Sequence, residues 1–229
     1  MTGFRRLSAI VLFAAVLASC ASEPGGTNNP IMRPFQWFSY ANGDDIRNVC
    51  VPGRNSRYRL IYNALYDEQV RTYDIVQLLT SKEATQVTRV FSGGINADWN
   101  LASSGFDPHA TQQSREIISI SDLVAIEQAL IKSGFEQPAI KGQILHSDSF
   151  YWIAMVCRDG IFKYYAWTDR NADIKKLPFR EVLAKGDETG VALVDPYAPT
   201  FPGRGSRYYN GRGGKTYFTM QVGDNGLIQ

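Results

Sequence analysis

From Arg57 to Tyr66 the chain alternates, with Tyr58, Leu60, Tyr62 and Ala64 on one side and Tyr66 next on it. A period of two is that of a β-strand with one face turned to a core. Gln69–Leu79 reads as a second strand, rich in Val, Ile, Tyr and Thr. Only Asp67 and Glu68 lie between the two runs, which predicts a hairpin. Ala84–Phe91 reads as a third strand, ended by Gly93-Gly94. Short connections cannot return a strand in parallel, so these three form an antiparallel meander.

The spacing then changes to that of a helix. Ser121 is the expected cap, and Leu123, Ile126 and Leu130 form a stripe along one side. Ser133-Gly134-Phe135 has the form of a Schellman ending, with Gly134 left-handed and Phe135 folded back on Leu130. Tyr151–Thr168 carries the strongest local signal. Two apolar and aromatic runs flank Asp159-Gly160, a type I′ turn pair. A two-residue loop sets Cys157 opposite Phe162, Met155 opposite Tyr164 and Trp152 opposite Trp167. Ile153, Met155, Cys157, Phe162 and Tyr164 share a face assigned to the core. Trp152, Ala154, Val156, Tyr165 and Trp167 share the other, with Lys163 among them. That second face is either covered by a short helix, Pro178–Lys185, ending at Gly186, or is a binding surface.

Other stretches lack a period. Residues 92–115 are polar and glycine-containing, which is long for a structureless loop within a domain. Beyond Asp195 the chain is rich in Gly, Arg and Pro, with one β-like stretch, Thr216–Val222, expected to dock as an edge strand.

At the N-terminus, Arg5 and Arg6 precede an almost wholly apolar run, Leu7–Leu17, and then Ala18, Ser19 and Cys20. A positive region, an apolar region and a small-residue cleavage site make an export signal. The run is too short to span a bilayer comfortably, which takes about 20 apolar residues. Leu17-Ala18-Ser19-Cys20 resembles the lipobox of bacterial lipoproteins. The resemblance implies cleavage before Cys20, acylation of its thiol and new amino group, and attachment to the membrane through the acyl chains. Ala21 stands where an aspartate would retain an enteric lipoprotein at the inner membrane, so the resemblance implies the outer membrane. Residues 20–32, with Pro24, Gly25, Gly26 and Pro30, read as a flexible tether.

Composition narrows the function. The 229 residues hold 24 basic and 22 acidic side chains, and cleavage removes Arg5 and Arg6 and no acid. The mature chain is then neutral, which gives no case for a nucleic-acid partner. Hydrophobic residues make up 44%, enough for a real core. Three cysteines are present; with Cys20 lipidated, Cys50 and Cys157 remain as a pair, and an oxidising compartment predicts a disulfide between them.

Candidate chemistry is sparse. No metal-ligand spacing of His and Cys occurs, and no cofactor is expected. His109 and His146 are the two histidines, and no Gly-x-Ser-x-Gly elbow accompanies Ser147 and Asp148. Asp44-Asp45 and Asp67-Glu68 are paired acids of the kind glycosidases use, but both sit where turns and helix starts call for acids. Gly214-Lys215-Thr216 ends like a phosphate loop, but Tyr209 stands at its first glycine. The residues of 204–215 interleave arginines with Tyr208 and Tyr209, and Trp152, Tyr165 and Trp167 would suit stacking on a sugar ring.

These readings predict an α+β domain over 33–195: an antiparallel sheet of a meander plus an aromatic hairpin, with two helices packed on it. A signal peptide (1–19) and tether (20–32) precede it, and a Gly/Arg/Pro-rich tail (196–229) follows. The layout resembles that of bacterial envelope lipoproteins and holds no motif diagnostic of an activity. The expected function is a non-catalytic binding or structural module facing the periplasm. Its candidate partners are an envelope protein, peptidoglycan or lipopolysaccharide. The alternative is a hydrolase of envelope glycan or lipid, with residues 92–115 as a lid and His109 or His146 as base.

Overall fold

The computed structural model describes residues 37–92, 111–196 and 218–228. Cys20, His109, the tether, most of the 92–115 loop and residues 197–217 lie outside them. The described chain is α+β. Six antiparallel strands form the main sheet: β1 (Ser56–Ala64), β2 (Gln69–Gln77), β3 (Glu83–Phe91), β4 (Gln112–Ser119), β6 (Phe150–Arg158) and β7 (Ile161–Thr168). Their order is β4-β3-β2-β1-β6-β7. A second sheet, in the order β5-β8-β9, joins β5 (Ile144–His146), β8 (Thr219–Val222) and β9 (Leu227–Ile228).

The hairpin register is the expected one: Cys157 opposite Phe162, Met155 opposite Tyr164, Trp152 opposite Trp167. Asp159 and Gly160 both take positive φ, as a type I′ turn requires. Both hairpin faces are buried, because the sheet is covered on both sides. On one side, two helices, α3 (Ile120–Lys132) and α4 (Phe179–Ala184), cover Tyr58, Leu60, Tyr62, Trp152 and Trp167. On the other, two short helices, α1 (Trp37–Asn42) and α2 (Asp44–Asn48), and the small sheet cover Ile61, Ile153, Met155 and Tyr164.

Four differences from the sequence reading have physical causes. Tyr66 leaves the face of Tyr58 and joins the opposite core, because Leu65 takes φ 58° and turns the chain over. Tyr66 then sits edge-on to Phe218, with ring centroids 4.9 Å apart. Residues 112–115 belong to β4 rather than to a loop; the buried position among them is Ser114, which accepts from Glu188 N–H at 3.2 Å, so the stretch shows no apolar alternation. Thr219–Val222 is the middle strand of the small sheet and not an edge. Its Met220 and Val222, with Leu227, bring 218–228 into the core of the domain.

The fourth difference is the cap of α3, which is Ser119 and not Ser121. Ser119 accepts from the Asp122 backbone amide at 3.2 Å, and the Asp122 carboxylate accepts from the Ser119 amide at 3.2 Å, a reciprocal capping box. The other end is a Schellman motif: Phe135 N–H donates to Leu130 O at 3.1 Å and Gly134 N–H to Ile131 O at 2.9 Å. Ser119→Ala is expected to cost about 1 kcal/mol of stability and Ser121→Ala less than half of that, measured by urea denaturation.

The outer edge of β7 is occupied by two asparagine side chains. Asn225 accepts from Tyr164 N–H at 2.9 Å and donates to Phe162 O at 3.0 Å. Asn171 accepts from Thr168 N–H at 2.6 Å and donates to Ala166 O at 3.0 Å.

Candidate functional site

The aromatic trio offered as a ligand surface is core instead. Trp152 is fully buried, Trp167 is 1% exposed and Tyr165 is buried beside them. Phe179 of α4 stands edge-on to Trp152 at 5.1 Å and tilted to Trp167 at 5.0 Å. Trp152 stacks on Tyr62 at 4.6 Å, and Trp167 donates its indole N–H to Ser133 O at 2.6 Å. No sugar ring can reach these faces. The covering helix is the one that Pro178 announces.

Cys50 and Cys157 are disulfide-bonded, with Cα atoms 5.7 Å apart across a separation of 107 positions. The bond ties the segment after α2 to the end of β6. The paired acids are structural. Asp44 accepts from Ser39 at 2.8 Å and Asn42 at 2.7 Å, at the start of α2. Asp45 takes Arg59 through both oxygens at 2.8 Å. Burial raises the Asp45 carboxyl, and the Arg59 guanidinium outweighs it, so the group lies below the usual carboxylate range. Asp67 and Glu68 lie in the β1–β2 turn. Ser147, next to His146, is buried, and its hydroxyl accepts from Phe218 N–H at 3.0 Å. Among the described residues, no three His, Cys, Asp or Glu side chains gather where they could hold a metal ion.

The concave site lies elsewhere, between the C-terminal half of α3 and the tip of the β6–β7 hairpin. Leu130, Ile131, Phe135, Val156 and Ile161 supply its apolar lining. Tyr58, Glu127, Glu136, Arg158, Asp159 and Lys163 supply its polar groups. Strand alternation explains the membership: Tyr58, Val156, Arg158, Ile161 and Lys163 all point to the α3 side of the sheet. The Schellman turn adds Phe135 by swinging it back over the last turn of the helix.

The charges in the cleft are paired. Tyr58 donates to Glu127 at 2.5 Å, and Arg158 contacts the same oxygen at 3.1 Å. Lys163 contacts the Glu136 carboxylate at 2.9 Å and donates to the Glu136 carbonyl at 2.7 Å. Burial, reinforced by the Glu127 hydrogen bond, pushes the Tyr58 phenol well above its ordinary value, so it stays protonated. The Glu127 bond likewise raises Arg158.

With Glu127 and Glu136 engaged by cations, the cleft presents an apolar floor within an ion-paired rim, to which the exposed Asp159 adds a third carboxylate. Its volume of about 180 Å³ lies below the several hundred typical of metabolite sites. It is the size for one bulky side chain of a partner, the way interface anchors are seated. The sequence reading missed this cleft, since three elements build it and none carries a motif; Lys163 on an otherwise apolar face was its one visible sign. No protein-family model, curated protein or solved structure matches this chain.

Proposed function

We propose that this chain is a lipoprotein of the bacterial cell envelope, held on the periplasmic face of the outer membrane by acyl chains on Cys20. On this reading it is a non-catalytic binding or structural module. The observation that carries the reading is the bond between Cys50 and Cys157. Such bonds persist in oxidising compartments, where an export signal ending at Cys20 would deliver the chain. The pairing also leaves Cys20 as the one cysteine unaccounted for, which fits acylation there. The small ion-paired cleft supports binding of a protein partner over turnover of a small substrate.

The test is the intact mass of the protein purified from its native membrane, before and after reduction. The expected mass is that of residues 20–229 plus acyl chains, gaining two hydrogens on reduction. A mass without acyl chains would sink the anchored reading, and a mass that does not change on reduction would remove its support.

A further inference from the structure

We propose that loops 49–55 and 78–82 form a second membrane contact, a rigid patch that seats in the headgroup boundary of an anionic bilayer. Both loops lie at the same end of the main sheet, since Ser56 pairs with Gln77. Val49, Val51, Leu78 and Leu79 are 45–63% exposed there. Four large aliphatic side chains on two adjacent loops are an unusual concentration for a water-facing surface.

Three cations lie in or beside the same two loops, and the exposed Asp159 lies next to Gly160, on which Pro52 packs. Arg54 and Lys82 are exposed and Arg57 is half-exposed, while Glu83 is the one acid in 49–57 and 78–83. None of these three cations makes an ion pair or a side-chain hydrogen bond among the described residues. The cations of the cleft, by contrast, are matched to carboxylates. Exposed aliphatics flanked by unmatched Arg and Lys suit a surface that is apolar within and anionic at its face.

The patch is held in shape before it meets anything. Cys50, in the first loop, is bonded to Cys157 of β6. Leu79 N–H donates to Asn55 Oδ1 at 3.3 Å, joining the loops. Pro52 packs on Gly160 so closely that a Cβ there would lie 2.4 Å from its ring. Little loop ordering is then lost on docking.

The chain is long enough for both contacts. Trp37, where the described chain begins, lies beside Tyr66 at the far end of the sheet, ring centroids 6.4 Å apart. A nine-residue strand spans about 30 Å. The 17 residues from Cys20 to Gln36 reach up to about 60 Å. Nearness to a bilayer rests on the lipoprotein reading; the affinity of the patch does not.

The test uses the oxidised mature chain with Cys20→Ala, so that no acyl chain contributes. It is mixed with vesicles of phosphatidylethanolamine and phosphatidylglycerol, 3:1, and with phosphatidylcholine alone. Sedimentation with the anionic vesicles, weakened by salt, is the expected result. Leu79→Asp is expected to cut partitioning at least tenfold. Lys82→Ala is expected to cut it about fivefold, and Ile140→Asp, at an exposed aliphatic residue outside both loops, to leave it unchanged.

Absence of sedimentation would overturn the proposal, as would equal losses from Leu79→Asp and Ile140→Asp. A Leu79-dependent dimer in solution without vesicle binding would overturn it too, assigning the patch to a second copy. An acylated native mass with no vesicle binding would leave the anchor standing and remove the patch; the reverse pair of results would do the opposite.

Discussion

Asp187→Ala is expected to lower the unfolding free energy by about 3–5 kcal/mol, as removing one partner of a buried ion pair does. Asp187 pairs with Arg71 of β2, and the two side chains are 5% and 3% exposed. Tyr73 also donates to Asp187, at 3.1 Å, and Thr189 does so at 2.6 Å. Removing the carboxylate strands a guanidinium inside the fold. It also frees the segment after α4. Residues 187–194 have no ladder of their own and are held by side chains of the sheet. Arg71 donates to Val191 O at 2.5 Å, Gln69 to Ala192 O at 3.0 Å and Tyr62 to Val194 O at 2.7 Å. Arg71→Met with Asp187→Leu is expected to cost less than Asp187→Ala alone, because no charge is left unpaired. Urea denaturation of the three variants decides it. A loss under about 1 kcal/mol for Asp187→Ala, the range of exposed pairs, would mean that the pair is solvated.

Removing the disulfide is the other large effect. Cys50→Ala with Cys157→Ala opens a loop of 107 positions, for which chain entropy gives up to about 4.7 kcal/mol and typical bridges give 2–5. The unfolded chain gains freedom, and α1 and α2 lose their covalent tie to β6. Melting about 10 °C lower is expected for a chain of this size, read by circular dichroism. Wild type in reductant should match the double variant. Unchanged melting would mean that packing of Ile46 and Phe38 holds those helices without the bond.

The elements that the sequence revealed are those whose local rule is also their burial rule. Asp159-Gly160 sets the hairpin register, and Leu123, Ile126 and Leu130 do face the core. The meander and the helix beginning at Pro178 follow from the same agreement. What stayed hidden depends on distant partners. β4 reads Gln-Gln-Ser-Arg-Glu because it is an edge strand whose buried position there is Ser114, a polar residue held by the distant Glu188 N–H at 3.2 Å. β5 has three residues and exists through β8, 75 positions later at Leu145 and Met220. The tryptophans were legible as aromatic, and their burial depended on α4 lying across them. The cleft was least legible of all. Glu127, Arg158 and Tyr58 are ordinary polar residues of three separate elements until the sheet and α3 bring them together.

The two asparagines on β7 bear on how copies of this protein behave in a crowd. A bare outer strand is a template on which another chain can zip, strand by strand, into a fibre. Asn225 and Asn171 give β7 the donor and acceptor that a neighbouring strand would supply, but on side chains that carry no further ladder. Growth stops after one residue at each point. The closing segment that holds Asn225 thus occupies part of the β7 edge that a strand of another copy would otherwise use for pairing.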